Sequence, residues 1–390
     1  MAALINAYGA GIRPEWDLDP GFLTVNHGSY GATPKAVLAE QDRWRRRMEA
    51  QPTRFFSLEL PGALREAAGS LASFVGASAD DVAFVTNAST GTNAVLRSMR
   101  FAAGDEILYV SHVYNAVRNT VAYIAGQSGV TAVVADVPFP RPDRAGILAG
   151  IEKVLSKRTR IAIIDHITSP SGLVLPVADI VRLCHAAGVP VLIDGAHAAG
   201  QVPLDLAALG ADWYVGTCHK WLSAPKGCGF IHARTERRAD LHPVVISHGY
   251  GDGFTAEFDW TGTMDPSAFL SLPAAIAFWQ RLGGPRLMER NRRLAAEAAA
   301  LVADALKTEV GVSPDMAGSM GLVRLPITMN ATRAEAVKVR RALQSFGTDA
   351  PVHPVGESMW LRLSAYAYNE IGDYERLAEL LPRALAAIRD

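Results

Sequence analysis

Short apolar runs alternate with stretches of helical periodicity through the middle of the chain. The runs cover residues 82–85, 106–110, 131–134, 160–164, 190–193, 212–215 and 229–232. All are of strand length, and the spacers carry helical spacing of apolar positions. Such alternation predicts a mostly parallel sheet with helices on both faces. The last link, Thr217 to Gly227, is too short for a crossover helix. The seventh strand should therefore run antiparallel to the sixth.

The flanks read differently. Residues 1–20 form an irregular arm, rich in Gly and Pro, and 22–25 are a short apolar run. That run breaks at Asn26-His27-Gly28-Ser29-Tyr30-Gly31, a tight polar turn. Thr33 as cap and Pro34 at the first position start a helix that runs to about Ala50 and stops at Pro52. Arg54-Phe55-Phe56 reads as a loop with an exposed arginine. A helix over about 61–75 follows, with Leu64, Ala68, Leu71 and Val75 on one face. Past Thr263 and Pro266 the character changes. Residues 273–308 are helical with a break at Gly283-Gly284-Pro285, 321–328 alternate, 333–346 are helical, 360–364 form a strand and 374–388 a helix. The chain divides into an arm over 1–20 packing with the small domain, a large domain over 21–272, and a linking helix with a smaller α+β domain over 273–390.

Composition narrows the function classes. Of 390 residues 49% are hydrophobic and 20% charged, enough to bury a large core. A net charge of −1 supplies no global field for nucleic acid or an anionic membrane. The basic cluster at Arg43, Arg45, Arg46 and Arg47 reads as the solvated face of a helix. Cys184, Cys218 and Cys228 make no CxxC and no disulfide framework, which points to a reducing compartment. Cys184-His185 and Cys218-His219, taken as strand neighbours, would point to opposite faces, so no metal site is expected. No basic-then-apolar signal and no run of spanning length is visible, so a cytoplasmic protein is expected.

The chemistry concentrates at strand ends. The run at 190–193 ends on Asp194, and the run at 212–215 leads through Thr217, Cys218 and His219 to Lys220. Open α/β sheets build ligand crevices at such ends. An acid beside a lysine suits pyridoxal phosphate (PLP), which needs a lysine for a Schiff base and a carboxylate for its pyridine nitrogen. Thr86 to Asn93 follows the first strand and opens a helix, where Ala88 and Ser89 let backbone N–H groups approach a phosphate. Tyr114 follows the second strand and offers a ring to stack on the cofactor.

These motifs, in this order, resemble the class V aminotransferase-type PLP enzymes of fold type I, the group that holds cysteine desulfurases and isopenicillin N epimerase. Val25 to Pro34, Asn87-Ala88-Ser89, Asp194-Gly195-Ala196-His197, His219-Lys220-Trp221-Leu222, Ala224 to Gly227, Gly262-Thr263 and Arg362 to Asn369 carry the resemblance across roughly 20–380. It implies a PLP-binding transferase fold and a set of roles. Lys220 would hold the cofactor and shuttle protons at Cα, and Asp194 would pair with the pyridine nitrogen. His197 and Ser169 would contact the phenolic oxygen, and Tyr114 would stack. Ala88, Ser89, Thr217 and His219 would hold the phosphate. Thr263 would reach the phosphate of a neighbouring subunit, which implies a homodimer with shared sites. Arg362 would clamp the substrate carboxylate, a task suited to a bidentate guanidinium. Asn26, His27 and Arg54, with the arginines at 43–47, are candidates for lining the entrance and reading a distal carboxylate.

The PLP scaffold does not name the bond that breaks. Desulfurases of this group carry a nucleophilic cysteine shortly before the carboxylate-binding arginine, and 351–360 contains none. Two reactions at the Cα of an amino-acid-type substrate stay open: epimerisation, with Lys220 and Tyr114 on opposite faces, and β-elimination from a cysteine-type substrate.

Overall fold

The computed structural model describes residues 8–327 and 330–388. Its strands are β1 (Leu23–Thr24), β2 (Val82–Val85), β3 (Glu106–Val110), β4 (Thr131–Ala135), β5 (Thr159–Asp165), β6 (Val191–Gly195), β7 (Trp213–Thr217), β8 (Gly229–Ala233), β9 (Met320–Arg324), β10 (Thr348–Asp349), β11 (Val352–Val355) and β12 (Ser358–Ser364). A seven-stranded sheet has the order β2-β8-β7-β6-β5-β3-β4. β8 is antiparallel to both its neighbours, and the other pairs are parallel. Every residue of β3, β6, β7 and β8 is buried, which is why these strands read as unbroken apolar runs. β4, at the sheet edge, is mostly exposed. The C-terminal ends of β2, β3, β5, β6 and β7 open on one edge of the sheet, and the reversed β8 returns from it.

A second apolar cluster gathers around the antiparallel sheet β11-β12-β9, the helix Ile371–Ala386 and the outer part of the helix Pro285–Leu306. That long helix also sends Leu287 into the main core, so one element is anchored in both clusters. The arm residues lie against 366–373: Gly9 N–H donates to the Ala367 carbonyl and Arg13 pairs with Asp373. Trp16 packs edge-on to Phe278 and Tyr368. Residues 1–7 of the arm, and Thr328 at the end of the alternating run, lie outside the described residues.

Several local expectations need correction. The first long helix spans Lys35–Ala50, and Pro34, with ψ 151°, is its cap. Thr33 does not cap it, because its hydroxyl donates instead to the Ala224 carbonyl. The segment around Arg54 is helical, not a loop. Helix Pro52–Arg54 runs through a π-turn, Phe55–Glu59, into helix Leu60–Val75. Pro61 has no N–H to continue an α-helical ladder, and the wider π-turn absorbs the defect. The polar turn after Asn26 is a one-turn helix, His27–Tyr30. Cys184-His185 lies on helix Val177–Ala186 rather than a strand, and His185 bonds to Asp212 at 2.8 Å. Among the described residues no cluster could hold a metal ion and no helix is long and apolar enough to cross a membrane.

Candidate active site

Two adjoining cavities occupy the sheet edge where the parallel strands end. The inner one, about 330 Å³, is bordered by Ala88, Ser89, Tyr114, Asp165, Asp194 and Lys220, among others. The outer one, about 710 Å³, reaches from Lys220 and Tyr114 to His353 and Arg362. Ser29, Tyr30, Tyr114, Ser169, His197 and Lys220 border both.

The inner cavity has an anion-seeking end. Helix Ala88–Ser98 starts there, and its cap Asn87 accepts from Thr90 N–H at 2.9 Å. The N–H groups of Ala88 and Ser89 precede that bond and are free for a phosphate. The helix lies close on the sheet: a Cβ on Gly91 would stand 2.6 Å from Val215 Cγ1, and one on Gly229 2.9 Å from Asn87 Cα. Thr217 spends its hydroxyl proton on the Ala196 carbonyl at 2.6 Å. His219 bonds the Cys228 carbonyl through Nδ1 at 3.2 Å, which turns Nε2 the other way.

Asp194 and Lys220 stand at the centre. Asp194 accepts from Ala196 N–H at 2.9 Å, and burial raises its carboxyl, opposed by that bond and by the Lys220 charge. Burial brings Lys220 down to about 8, and the Arg362 charge adds to the effect. Lys220 Nζ lies 3.1 Å from His197 Nε2. The Trp221 indole can only donate, and it does so to His197 Nδ1 at 3.4 Å. Neutral His197 then carries its proton on Nε2 and donates it to Lys220 Nζ when that amine is deprotonated. Burial and the Lys220 charge keep His197 neutral by lowering it well below its usual range.

Arg362, on β12, is 2% exposed and has no carboxylate within ion-pair distance among the described residues. Nη1 donates to the Ser169 carbonyl and hydroxyl, Nη2 donates to Ser29 Oγ at 3.1 Å, and Nε has no partner. Burial brings this guanidinium down to about 10. A buried cation held only by neutral oxygens lacks its counter-ion.

The remaining candidates fall elsewhere in this chain. His27 is buried behind the lysine: it stacks on Tyr366 with centroids 3.6 Å apart and bonds the Lys220 carbonyl at 2.9 Å. It positions the Lys220 backbone and borders neither cavity. Asn26 is used up on Asp349 and Ser29, both at 2.7 Å. Arg54 is exposed and pairs with Glu59 at 3.0 Å, and Arg43, Arg45 and Arg47 pair with Glu40, Asp265 and Glu59. Thr263 is exposed, away from both cavities. Sequence reasoning gave no role to Ser29, Tyr30 or Asp165, although the stretch from Asp165 to Ser169 reads as a strand end at this edge. Asp165 ends a strand as Asp194 does, which was the available signal.

This donor set fits PLP: free N–H groups for the phosphate, a buried acid, and a lysine whose amine deprotonates readily. Residues 31–377 match the family model Aminotransferase class-V. The chain belongs to the class-V aminotransferase family. Within this family it is 32% identical to a putative L-cysteine desulfhydrase 1 of Oryza sativa subsp. japonica, over 97% of this chain and 86% of the relative. It is 34% identical to an isopenicillin N epimerase of Amycolatopsis lactamdurans, over 95% and 97%. Its fold matches an apo cysteine desulfurase of Thermococcus onnurineus with a TM-score of 0.81 at 19% identity, over 99% and 100% of the two chains. The protein is a class-V PLP enzyme of fold type I, with PLP as its cofactor. All three cysteines of this class-V chain are buried, and none borders either cavity.

Proposed function

We propose that the enzyme removes and returns the Cα proton of an amino acid or amino-acid-derived substrate, with epimerisation as the reaction. The observation that carries this reading is the pairing of a readily deprotonated Lys220 with a buried Arg362 that lacks a counter-ion, both bordering one cavity. Arg362 would take the α-carboxylate by two parallel charge-assisted bonds and fix the substrate against Lys220. Bound PLP would supply the electron sink for the pair left at Cα. Asp194 would hold the pyridine nitrogen, His197 Nε2–H the phenolic oxygen, and the helix start at Ala88 and Ser89 the phosphate. Thr217 would join them by turning its hydroxyl from the Ala196 carbonyl, and His219 by moving its proton from Nδ1 to Nε2. Lys220 would move the proton on one face. Tyr114, whose ring borders both cavities, would stack on the cofactor and serve the other face.

The outer cavity favours a substrate larger than cysteine, since about 710 Å³ is drug-ligand size. β-Elimination from a cysteine-type substrate is the second reading, favoured by the desulfhydrase relative and by a site that needs no catalytic cysteine. We also infer a homodimer in which Thr263 reaches the neighbouring phosphate. The exposed apolar residues Val244, Val245 and Met264 border one cavity with the neighbouring Gly262.

Incubating the loaded enzyme with a panel of L-amino acids and cysteine conjugates in D₂O tests the reaction. Deuterium at Cα with inversion supports epimerisation. Pyruvate and ammonia release replaces it with elimination, and a keto acid with conversion of the cofactor to its pyridoxamine form replaces both with transamination.

A further inference from the structure

One buried titratable group at the site has no role in the scheme above. Asp165 is the last residue of β5 and is 2% exposed. It stands in register with Asp194 on the adjacent parallel strand, so the two carboxyls lie on one face of the sheet, about 5 Å apart at the backbone. Asp165 borders the inner cavity, and its Oδ2 has no hydrogen-bond partner among the described residues. Nor does any Lys, Arg or His lie within ion-pair distance of it there.

The order of strands says which edge of the cofactor Asp165 would meet. The phosphate-binding groups follow β2 and β7, and β2, β8 and β7 all lie on one side of β6. Asp194, on β6, would sit opposite the pyridine nitrogen. The ring edge that bears the phosphate arm then faces β7, and the opposite edge faces β5. That opposite edge carries a methyl group and the phenolic oxygen, of which only the oxygen forms strong hydrogen bonds. Asp165, Ile167 and Ser169 come from this side of the cavity. Ile167 has no polar side-chain atom. The Ser169 hydroxyl accepts from Arg362 Nη1 and keeps its own proton, and Asp165 is the polar group on this side that is left without a partner.

We propose that Asp165 is a proton-bearing carboxyl of the cofactor site that donates a hydrogen bond to the phenolic oxygen of bound PLP, beside His197. The assignment rests on the placement of Asp194 and the phosphate given under the proposed function. Two buried carboxyls side by side do not both ionise. Asp194 accepts Ala196 N–H and would face the pyridinium, so it keeps the charge. Burial and the Asp194 charge push Asp165 well above the carboxylate range, against the Tyr114 N–H and the Lys220 charge. Those are the groups that face it from β6, from the segment after β3 and from the β7–β8 connection. The next residue, His166, is buried and neutral against the Tyr214 hydroxyl at 2.9 Å.

A neutral acid can donate to a phenolate, whereas an ionised one repels it. Each donor on that oxygen stabilises its negative charge and weakens its hold on the proton of the lysine–cofactor linkage. The visible absorption band of the bound cofactor therefore titrates at lower pH when Asp165 donates. The test is a pH titration of that band in PLP-loaded wild type, Asp165→Asn and Asp165→Leu. The Leu variant should move the midpoint up by about one pH unit, tenfold in proton affinity. The Asn variant keeps a neutral donor and should stay near wild type.

An unmoved midpoint in Asp165→Leu overturns the contact. A lowered midpoint in Asp165→Asn overturns the protonation, because it reveals the loss of a negative charge. If the Leu variant does not fold, infrared difference spectra of wild type against Asp165→Asn decide: a carboxylic-acid C=O band lost in the variant supports the proposal, and a lost carboxylate band refutes it. A colourless wild type would instead sink the placement of the cofactor itself, an outcome distinct from these.

Discussion

Replacing Arg362 with methionine separates what this residue does for the substrate from what it does for the fold. Its guanidinium is charged at pH 7 in the folded and unfolded protein alike. Burial holds it down from its usual, higher value to about 10. A cation whose folded value is depressed destabilises the fold at every pH below that value, here by about 3 kcal/mol. The bonds to the Ser169 carbonyl, the Ser169 hydroxyl and Ser29 return about 1 kcal/mol each. The two contributions cancel, so Arg362→Met should be about as stable as wild type when no substrate is present. With substrate the arginine becomes the better residue, because truncating one partner of a buried charge pair costs about 2–5 kcal/mol. That corresponds to a loss of about 30-fold to several thousandfold in kcat/KM. The assay is Cα–H exchange in D₂O, followed by NMR for the fastest amino acid of the panel and for its amide. Wild type should favour the acid over the amide by that factor, and the variant should treat them alike. The Tm of the substrate-free variant should lie close to that of wild type. Undiminished preference for the acid in the variant, or a sharp fall in Tm, refutes the reasoning.

Two further outcomes follow from the same geometry. On the proposed function the free amine of Lys220 would attack PLP, and burial and Arg362 bring that amine down to about 8. The rate at which apoprotein recaptures PLP should rise with pH up to about 8 and then level off, as read by stopped-flow absorbance. A rate still climbing at pH 10 would contradict this, and Lys220→Ala should show no visible band. Gly91→Ala would place a methyl 2.6 Å from Val215 Cγ1 and push the phosphate-binding helix off the sheet. We expect a loss of about 1–3 kcal/mol in stability and a weaker PLP Kd. Unchanged values of both would show that the helix has room to move.

The sheet was legible because its central strands are buried on both faces, so apolar runs mark them without ambiguity. The reversal of β8 followed from the short link after Thr217. Asp194, Lys220, Tyr114 and Arg362 converge on the adjoining cavities, since strand ends deliver chemistry to one edge. β11 escaped notice because Pro354 interrupts its pattern, and the turn around Arg54 because Pro52 and Pro61 look like boundaries. The candidates that missed the cavities share another cause. Asn26 and His27 lie next to site residues in sequence, but long-range partners claim them: Asp349 for the amide, Tyr366 and Tyr368 for the ring. A hydrogen bond across hundreds of residues leaves no local trace in a sequence. Asp165 was legible as a strand end at the site edge but had no role, since a strand-end acid is ordinary until a second one is found in register beside it.

Arg362 lies on the small sheet and Ser169 in the turn that follows β5 of the large one, and the guanidinium ties them without any anion. A substrate carboxylate bound there would become a third member of a seam between two separately packed cores. Ligand at a hundred times its Kd contributes about 2.7 kcal/mol of stability, all of it lost if either core opens alone. Calorimetry of the PLP-loaded enzyme should then show substrate drawing the melting of the two cores together. Occupancy would be reported as cooperativity, by a protein that unfolds more nearly as one unit when its site is full.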